Sequence, residues 1–131
     1  INRGEFTIHS SKSIIHLSVD YYQHEAKKFA IYKENLSDDN IVIYPVLGLV
    51  SESGEVADKI KKIMRDTNVP LRALDVETKT EISKELGDCL WYIAMIAEEL
   101  EFDLSEIAEG NLDKLESRRN RSKLNGSGDN R

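Results

Sequence analysis

The residues of this chain best suited to chemistry are two pairs of carboxylates, Glu52 with Glu55 and Glu85 with Asp88. Residues three positions apart lie on the same face of a helix, so each pair can present both carboxylates in one direction. At about 100° per residue, each pair also lies on the flank of an apolar stripe. If the two stripes pack together, four carboxylates converge at the edge of the core, which is costly unless a cation neutralises them. Oxygen ligands suit hard divalent ions, so the pattern predicts a site for Mg²⁺, with Mn²⁺ as a substitute.

A glycine stands beside one carboxylate of each pair, Gly54 before Glu55 and Gly87 before Asp88. Glycine inside a helix costs about 1 kcal/mol relative to alanine. The two glycines therefore indicate close approach of a helix or of a ligand at that level. Acids at this spacing are also common on solvated helix faces, so the residues alone leave a purely structural role open.

Other side chains limit the type of reaction. Cys89 falls on an apolar stripe and is interpreted as a packed core thiol. The three histidines, His9, His16 and His24, all precede the acids, and none stands in the E-x-x-H spacing of a ferritin-like di-iron bundle. No nucleophile and base are suitably spaced, so direct attack by water is favoured over a covalent intermediate.

The elements that must position the acids are predicted to be four amphipathic helices, over residues of about 17–32, 44–65, 75–100 and 103–121. Apolar residues recur at spacings of three and four in the later helices, which predicts three buried stripes: Val46, Leu49, Ser53, Val56, Ile60 and Ile63; Ile82, Leu86, Cys89, Ile93, Ile96 and Leu100; Leu104, Ile107, Ala108, Leu112 and Leu115. Asp103 and Glu106 have the spacing of a capping box for the last helix. The fold class expected is all-α, a four-helix bundle.

Length and composition indicate one domain. The chain has 131 residues, a net charge of −6 and 40% hydrophobic residues. We expect an N-terminal extension over residues 1–12, whether native or not, a domain over 13–121 and a flexible tail over 122–131. One cysteine fits a reducing, cytoplasmic location, and neither a secretory signal nor a membrane span is expected.

An acidic chain disfavours general binding to nucleic acid, because the phosphate backbone is repelled. Basic residues cluster from Lys114 onward, however, so weak nucleic-acid binding through a basic tail remains an alternative. A non-catalytic helical adaptor, with the acids as a solvated face, is the other.

The two acidic segments resemble the MazG-like all-α nucleoside triphosphate pyrophosphohydrolases. These segments are 48–59, GLVSESGEVADK, and 84–92, KELGDCLWY, and the family pattern is E-E-x-x-E, a spacer and then E-x-x-D. The resemblance extends through 111–118, NLDKLESR, and the tail motif 126–129, GSGD. Two departures stand out: Ser51 replaces the first acid, and the spacer is long, which implies a longer link between the second and third helices.

The resemblance implies Mg²⁺-dependent hydrolysis of a (deoxy)nucleoside triphosphate to the monophosphate and pyrophosphate, for cleansing or balancing a nucleotide pool. By position, all four acids would be metal ligands, and Glu52 or Glu55 would orient or deprotonate water. Tyr92 lies one turn after Asp88, where family members contact the nucleotide. The further substrate-binding candidates are Lys59 and Lys62 on the Glu55 face, Asn111, Lys114 and Arg118 on the last helix, and Gln23, which could contact a base.

Self-association is also expected. Four helices of this length leave apolar flanks uncovered, and Trp91 is predicted to lie on such a flank, away from the main stripe. A homodimer or a dimer of dimers would complete the core, as is general in the family. The sequence leaves the base, the sugar, the phosphorus attacked and the number of metal ions open.

Overall fold

The structure is a computed structural model, and it describes residues 17–121, except for the side chain of Asp39. The predicted N-terminal extension and tail, with His9, His16 and the 126–129 motif, lie outside the described residues. Within that range every regular element is helical, which confirms the all-α prediction. No described helix is long and apolar enough to cross a membrane.

Five α-helices follow one another along the chain: α1 (Val19–Ala26), α2 (Asp38–Ile41), α3 (Ile43–Asp66), α4 (Val76–Glu99) and α5 (Leu104–Asn120). Short 3₁₀ segments occur at Lys27–Phe29, Ile31–Glu34 and Leu71–Ala73. The three long helices, α3 to α5, match the last three predicted helices to within one or two residues.

Local chemistry accounts for where the long helices begin. Pro45 occupies the first turn of α3, where its fixed φ and missing N–H carry no penalty. Asp75 caps α4 by accepting the backbone N–H of Thr78 at 2.7 Å. At the start of α5, Glu106 accepts the backbone N–H of Asp103 at 3.2 Å, which confirms the predicted capping box.

The end of α4 is a Schellman turn built without glycine. Glu101 has a φ of 61°, in the left-handed region. Its N–H donates to the Glu98 carbonyl at 3.2 Å, and the N–H of Phe102 donates to the Ala97 carbonyl at 3.0 Å. The turn ends α4 and leads within four residues into α5.

The first predicted helix, over residues 17–32, was wrong in its second half. α1 ends at Ala26, and two 3₁₀ turns then carry the chain to Glu34. The N–H groups of Ala30 and Lys33 donate across single turns to carbonyls three residues earlier. This tighter path buries Tyr32, which is 6% exposed and donates its hydroxyl to Glu99 at 2.9 Å.

The core lies where α1 and its 3₁₀ turns meet the C-terminal half of α4 and the start of α5. Its buried members are Ala26, Ala30, Tyr32, Ala94, Met95, Ala97 and Leu104. Trp91 packs against this cluster and donates its indole N–H to the Ala26 carbonyl at 3.1 Å. The prediction of an uncovered Trp91 was therefore wrong, because α1 covers that side of α4.

The predicted buried stripes are only partly correct in a single chain. Leu49, Val56, Ile60 and Ile63 are half-buried at the α3–α4 contact. Other stripe members are exposed, namely Val46, Leu86, Ile93, Leu100, Ile107, Leu112 and Leu115. The last two helices therefore present apolar side chains that the described residues cover only in part.

Candidate metal centre

Helices α3 and α4 form an antiparallel pair that positions the predicted acids. Residue numbers that rise along α3 face residue numbers that fall along α4. Gly48 lies against Tyr92, Ser53 against Cys89, and Lys59 against Glu85. The long link between the helices contains one 3₁₀ turn and leaves this alignment intact.

Three of the four predicted ligands converge. One carboxylate oxygen from each of Glu52, Glu85 and Asp88 lies within 4.8 Å of the other two. Glu52 and Glu85 are half-buried, and Asp88 is exposed. Glu55 is exposed and is not part of this group of three, which we call the acid trio. The trio offers only oxygen donors from two helices, a donor set that suits a hard divalent cation.

The mutual repulsion of these acids is visible at Glu52. Burial raises the pKa of the Glu52 carboxyl, and so do the nearby charges of Asp88, Glu85 and Glu55 and a hydrogen bond with Glu85. A carboxyl with a raised pKa resists ionisation, and a cation bound among the oxygens would remove that resistance. Glu55 is therefore close enough to act on the trio electrostatically.

Two tyrosines border the trio from different helices. Burial raises the pKa of Tyr92, with contributions from Tyr44, Glu52 and Asp88. Burial and the Asp88 charge also raise the pKa of Tyr22, on α1. Tyr92 was predicted as a neighbour of the acids from its helical spacing. Tyr22 was not assigned, because only the packing of α1 brings it near Asp88.

Gly48 is the glycine that permits close approach. A Cβ built there would lie 2.1 Å from Cε1 of Tyr92, so any side chain would displace the ring. At Gly54 and Gly87 a Cβ would meet no described atom within 4 Å. Of the two predicted alternatives, close approach of a helix was therefore wrong at these positions, whereas the open space beside them leaves approach of a ligand as a prediction.

The aromatic side chains continue outward from Tyr92. Its ring lies 4.9 Å from Trp91 and 6.4 Å from Tyr44, and Tyr44 stacks on Tyr32 at 4.6 Å, measured between ring centroids. Tyr32 and Tyr44 line an open groove of about 280 Å³, together with Ile31, Asn35 and Leu36. An aromatic surface with one amide beside it is suited to stacking and hydrogen bonding of a flat polar ring.

The predicted phosphate-binding lysines are engaged with acids. Lys59 Nζ lies 3.2 Å from Glu85 Oε1 and 3.7 Å from Glu81 Oε2. Lys62 pairs with Asp58 at 2.5 Å, four residues earlier on the same helix. The Asp58 carboxylate correspondingly raises the pKa of Lys62 through a hydrogen bond and its charge. Lys59 thus contacts the trio directly, whereas Lys62 belongs to a pairing within α3.

Gln23 performs a structural task in place of the predicted base contact. It is 4% exposed, its Nε2 donates to the Phe102 carbonyl at 2.9 Å, and its Oε1 accepts the Leu104 N–H at 2.8 Å. Asp20 accepts the next N–H, that of Ser105, at 2.8 Å. These α1 side chains fasten the α4–α5 turn and cap α5, so both polar ends of Gln23 are occupied.

The candidates on α5 are divided by burial. Asn111 and Lys114 lie on the exposed surface of the helix, whereas Arg118 is 6% exposed. The main contact of α5 among the described helices is with α1. The described residues therefore do not bring these three side chains to the acid trio in the way that they bring Lys59 and Tyr92.

Comparison with known proteins identifies relatives. A sequence model described as the MazG nucleotide pyrophosphohydrolase domain matches residues 45–122, more than half of the chain and all four acids. The chain is also 42% identical over 117 residues to the Gene 37 protein of Mycobacterium phage L5, a match that covers 88% of this chain and 100% of the relative. No solved structure matches.

Proposed function

The chain belongs to the MazG nucleotide pyrophosphohydrolase family, and from this premise we propose that it hydrolyses free (deoxy)nucleoside triphosphates of the cytoplasm to the monophosphate and pyrophosphate, with Mg²⁺. Such an activity would cleanse or balance a nucleotide pool. The observation that carries the proposal is the acid trio, in which three carboxylates from two helices meet within 4.8 Å. Carboxylates held this close repel one another unless they serve a cation.

In the proposed site, Glu52, Glu85 and Asp88 hold Mg²⁺, and Mn²⁺ can replace it. A bound ion of this type neutralises phosphate charge and lowers the pKa of water that it binds. Glu55 lies beside the trio with an exposed carboxylate, so it is the candidate to orient the attacking water and accept its proton, with Glu52 as the alternative. Ser51 offers no carboxylate, so no role in proton transfer falls to that position.

The substrate would lie along the side of α3 and α4 that carries these acids. Tyr92 borders the trio, and the groove lined by Tyr32, Tyr44 and Asn35 continues the aromatic surface. We assign the nucleobase of the substrate to this groove. Gln23 is no longer assigned to it, because both polar atoms of its amide are already hydrogen-bonded. Substitution of Asn35 by Ala should raise KM more for some bases than for others.

Phosphate contacts are proposed for four polar side chains on α3 and α5. Lys59 is closest to the trio, and Lys62 lies one turn further along α3. Asn111 and Lys114 would contribute from the exposed surface of α5 if that surface faces a bound triphosphate. Arg118 is buried and is not assigned to the substrate.

Self-association is proposed from the apolar side chains on the opposite side of the α3–α4 pair. At 100° per residue, Val46 and Val50 on α3 share a side with Leu86, Leu90 and Ile93 on α4. All five are at least 39% exposed. A second copy packed on this apolar flank would give a four-helix arrangement with the acids on its outer sides.

The deciding experiment is incubation with a panel of ribo- and deoxyribonucleoside triphosphates, with and without Mg²⁺, followed by separation of pyrophosphate from orthophosphate. We expect pyrophosphate and monophosphate in equal amounts, only with the metal, and almost none with Glu52→Gln or Asp88→Asn. The exposed Glu109→Gln on α5 is the matched control and should retain activity. Release of orthophosphate alone, or activity that survives Asp88→Asn, would contradict the proposal.

A further inference from the structure

Lys59 places a cation directly on one member of the acid trio. Its ammonium is 3.2 Å from an oxygen of Glu85, a residue whose side chain is 18% exposed, and the Lys59 side chain is 29% exposed. The pairs that Lys61 and Lys62 form with Asp58 join neighbours within one turn of α3, and both lysine side chains are more than half exposed. The Lys59–Glu85 pair instead joins α3 to α4 and is better shielded from water.

Glu85 therefore serves two positive charges. The ammonium and a divalent cation are both attracted to the same carboxylate, and they repel each other across it. When no ion is present, Lys59 offsets part of the repulsion among Glu52, Glu85 and Asp88. When a divalent ion binds, the Lys59 ammonium must leave Glu85, or both cations must share its carboxylate. Either event lowers the affinity of the site for the ion.

We propose that Lys59 is a positioning residue that holds Glu85 in the metal-free protein and weakens divalent-cation binding by competing for that carboxylate. The inference rests on the proposed function of the trio as a metal site. Lys59 thus acts before any substrate binds, because the affinity for the ion is set by an exchange of partners at Glu85.

The surroundings of Lys59 provide for such an exchange. Glu81, one turn before Glu85, has an oxygen 3.7 Å from the same ammonium and a half-exposed side chain. Lys59 also lines an open cleft of about 320 Å³ between α3 and α4, together with Thr78, Glu81 and Ile82. The ammonium can thus transfer to Glu81 without entering the core, and Glu85 is then available to the ion.

The test is calorimetric titration of Mn²⁺ into the full chain without nucleotide, at low ionic strength. We expect Lys59→Met to tighten Mn²⁺ binding by about three- to fivefold, the upper end of the range for one ion pair near the protein surface. Thermal unfolding without metal should show a lower Tm for this variant. Lys59→Arg keeps the charge and should stay within about twofold of wild type, as should Lys61→Met, which removes an equally charged, 67% exposed lysine paired with Asp58.

Unchanged or weaker binding by Lys59→Met would overturn the inference, and so would equal effects of Lys59→Met and Lys61→Met. Failure of the metal site itself gives a different result. In that case wild type would show no Mn²⁺ binding that Glu52→Gln abolishes, and the proposed function would fall with it. Wild-type binding that depends on Glu52 but not on Lys59 would leave the function standing and reject the exchange alone.

Discussion

Ionised Glu52 is the residue of the candidate site that we expect to destabilise the folded state most. Its pKa is raised first by burial and then by the charges of Asp88, Glu85 and Glu55. For a carboxyl of this kind the folded state binds more protons than the unfolded state just above the ordinary pKa of 4.5. The free energy of unfolding therefore falls as pH rises from 4.5 through the raised pKa of Glu52 in the folded state.

The first prediction concerns Glu52→Gln. Removal of this charge should raise the Tm of the metal-free protein at pH 7 and reduce the loss of stability between about pH 4.5 and 7. It should also abolish the rise in Tm on addition of Mg²⁺ and lower turnover on the order of 100-fold or more. Thermal unfolding across this pH range, with and without Mg²⁺, measures the first three effects. A lower metal-free Tm for the variant would contradict the account of Glu52.

A second prediction separates structure from substrate recognition at Gln23. Gln23→Leu leaves the Phe102 carbonyl and the Leu104 N–H without their side-chain partner, in a buried place. Each such group costs about 1–3 kcal/mol, so the free energy of unfolding should drop by at least 2 kcal/mol. Urea unfolding gives this value, with His24→Leu, at a 63% exposed neighbouring side chain, as the control. A stable variant that had lost only base selectivity would restore the base-contact hypothesis.

At the residue scale, the sequence predicted what helical spacing alone determines. The two acid pairs and Tyr92 follow from periods of three and four, and the structure brings Glu52, Glu85 and Asp88 together with Tyr92 beside them. Partners from other helices could not be predicted. Whether Lys59 faces Glu85, or Tyr22 approaches Asp88, depends on the register and packing of helices far apart in sequence.

At the scale of elements, the sequence features that predicted helix boundaries correctly were local ones. Pro45, Asp75 and Asp103 each supply the chemistry that a helix start needs, so the long helices were predicted almost to the residue. The continuation of α1 was wrong because no local signal ends it. Burial of Tyr32, stacked on Tyr44 and bonded to Glu99, accounts for the 3₁₀ turns there.

The turn after α4 gives a prediction at this scale. Glu101 adopts a φ of 61°, which costs a residue with a Cβ about 1 kcal/mol more than glycine. Glu101→Gly should therefore raise the free energy of unfolding by about 0.5–1 kcal/mol, without a change in helix content by circular dichroism. Glu101→Ala, which keeps the Cβ, is the control and should give no gain. A destabilised glycine variant would show that the Glu101 side chain has a stabilising role that the structure does not reveal.

At the scale of the whole molecule, the buried apolar residues of the described part, 17–121, form a small cluster around Met95 and Leu104. Within that part, the apolar flank of the α3–α4 pair stays exposed. The sequence predicted the apolar stripes correctly as patterns. It could not tell which stripes pack within the chain and which, like that of Leu86 and Ile93, remain exposed.

The last prediction tests the proposed second copy. Val50 is 68% exposed in the single chain, so Val50→Glu should leave the fold of one copy intact. If the apolar flank is the interface, the variant should sediment at the 14.9 kDa of one chain while wild type sediments at a multiple of it. Leu71→Glu, at an exposed position in the α3–α4 link, is the control. Equal masses for wild type and Val50→Glu would exclude the flank as the interface.

The division of α3 and α4 into an acid side and an apolar side has a consequence for how relatives should diverge. The two long helices carry two sets of positions that alternate along the sequence. The acid positions are Glu52, Glu85 and Asp88, and the apolar positions lie around Val50 and Leu90. Under the proposed function and the proposed second copy, selection for turnover would act on the acid positions, and selection for assembly would act on the apolar positions. Among homologues, the acid positions should therefore stay fixed while the apolar positions drift together in compensating exchanges.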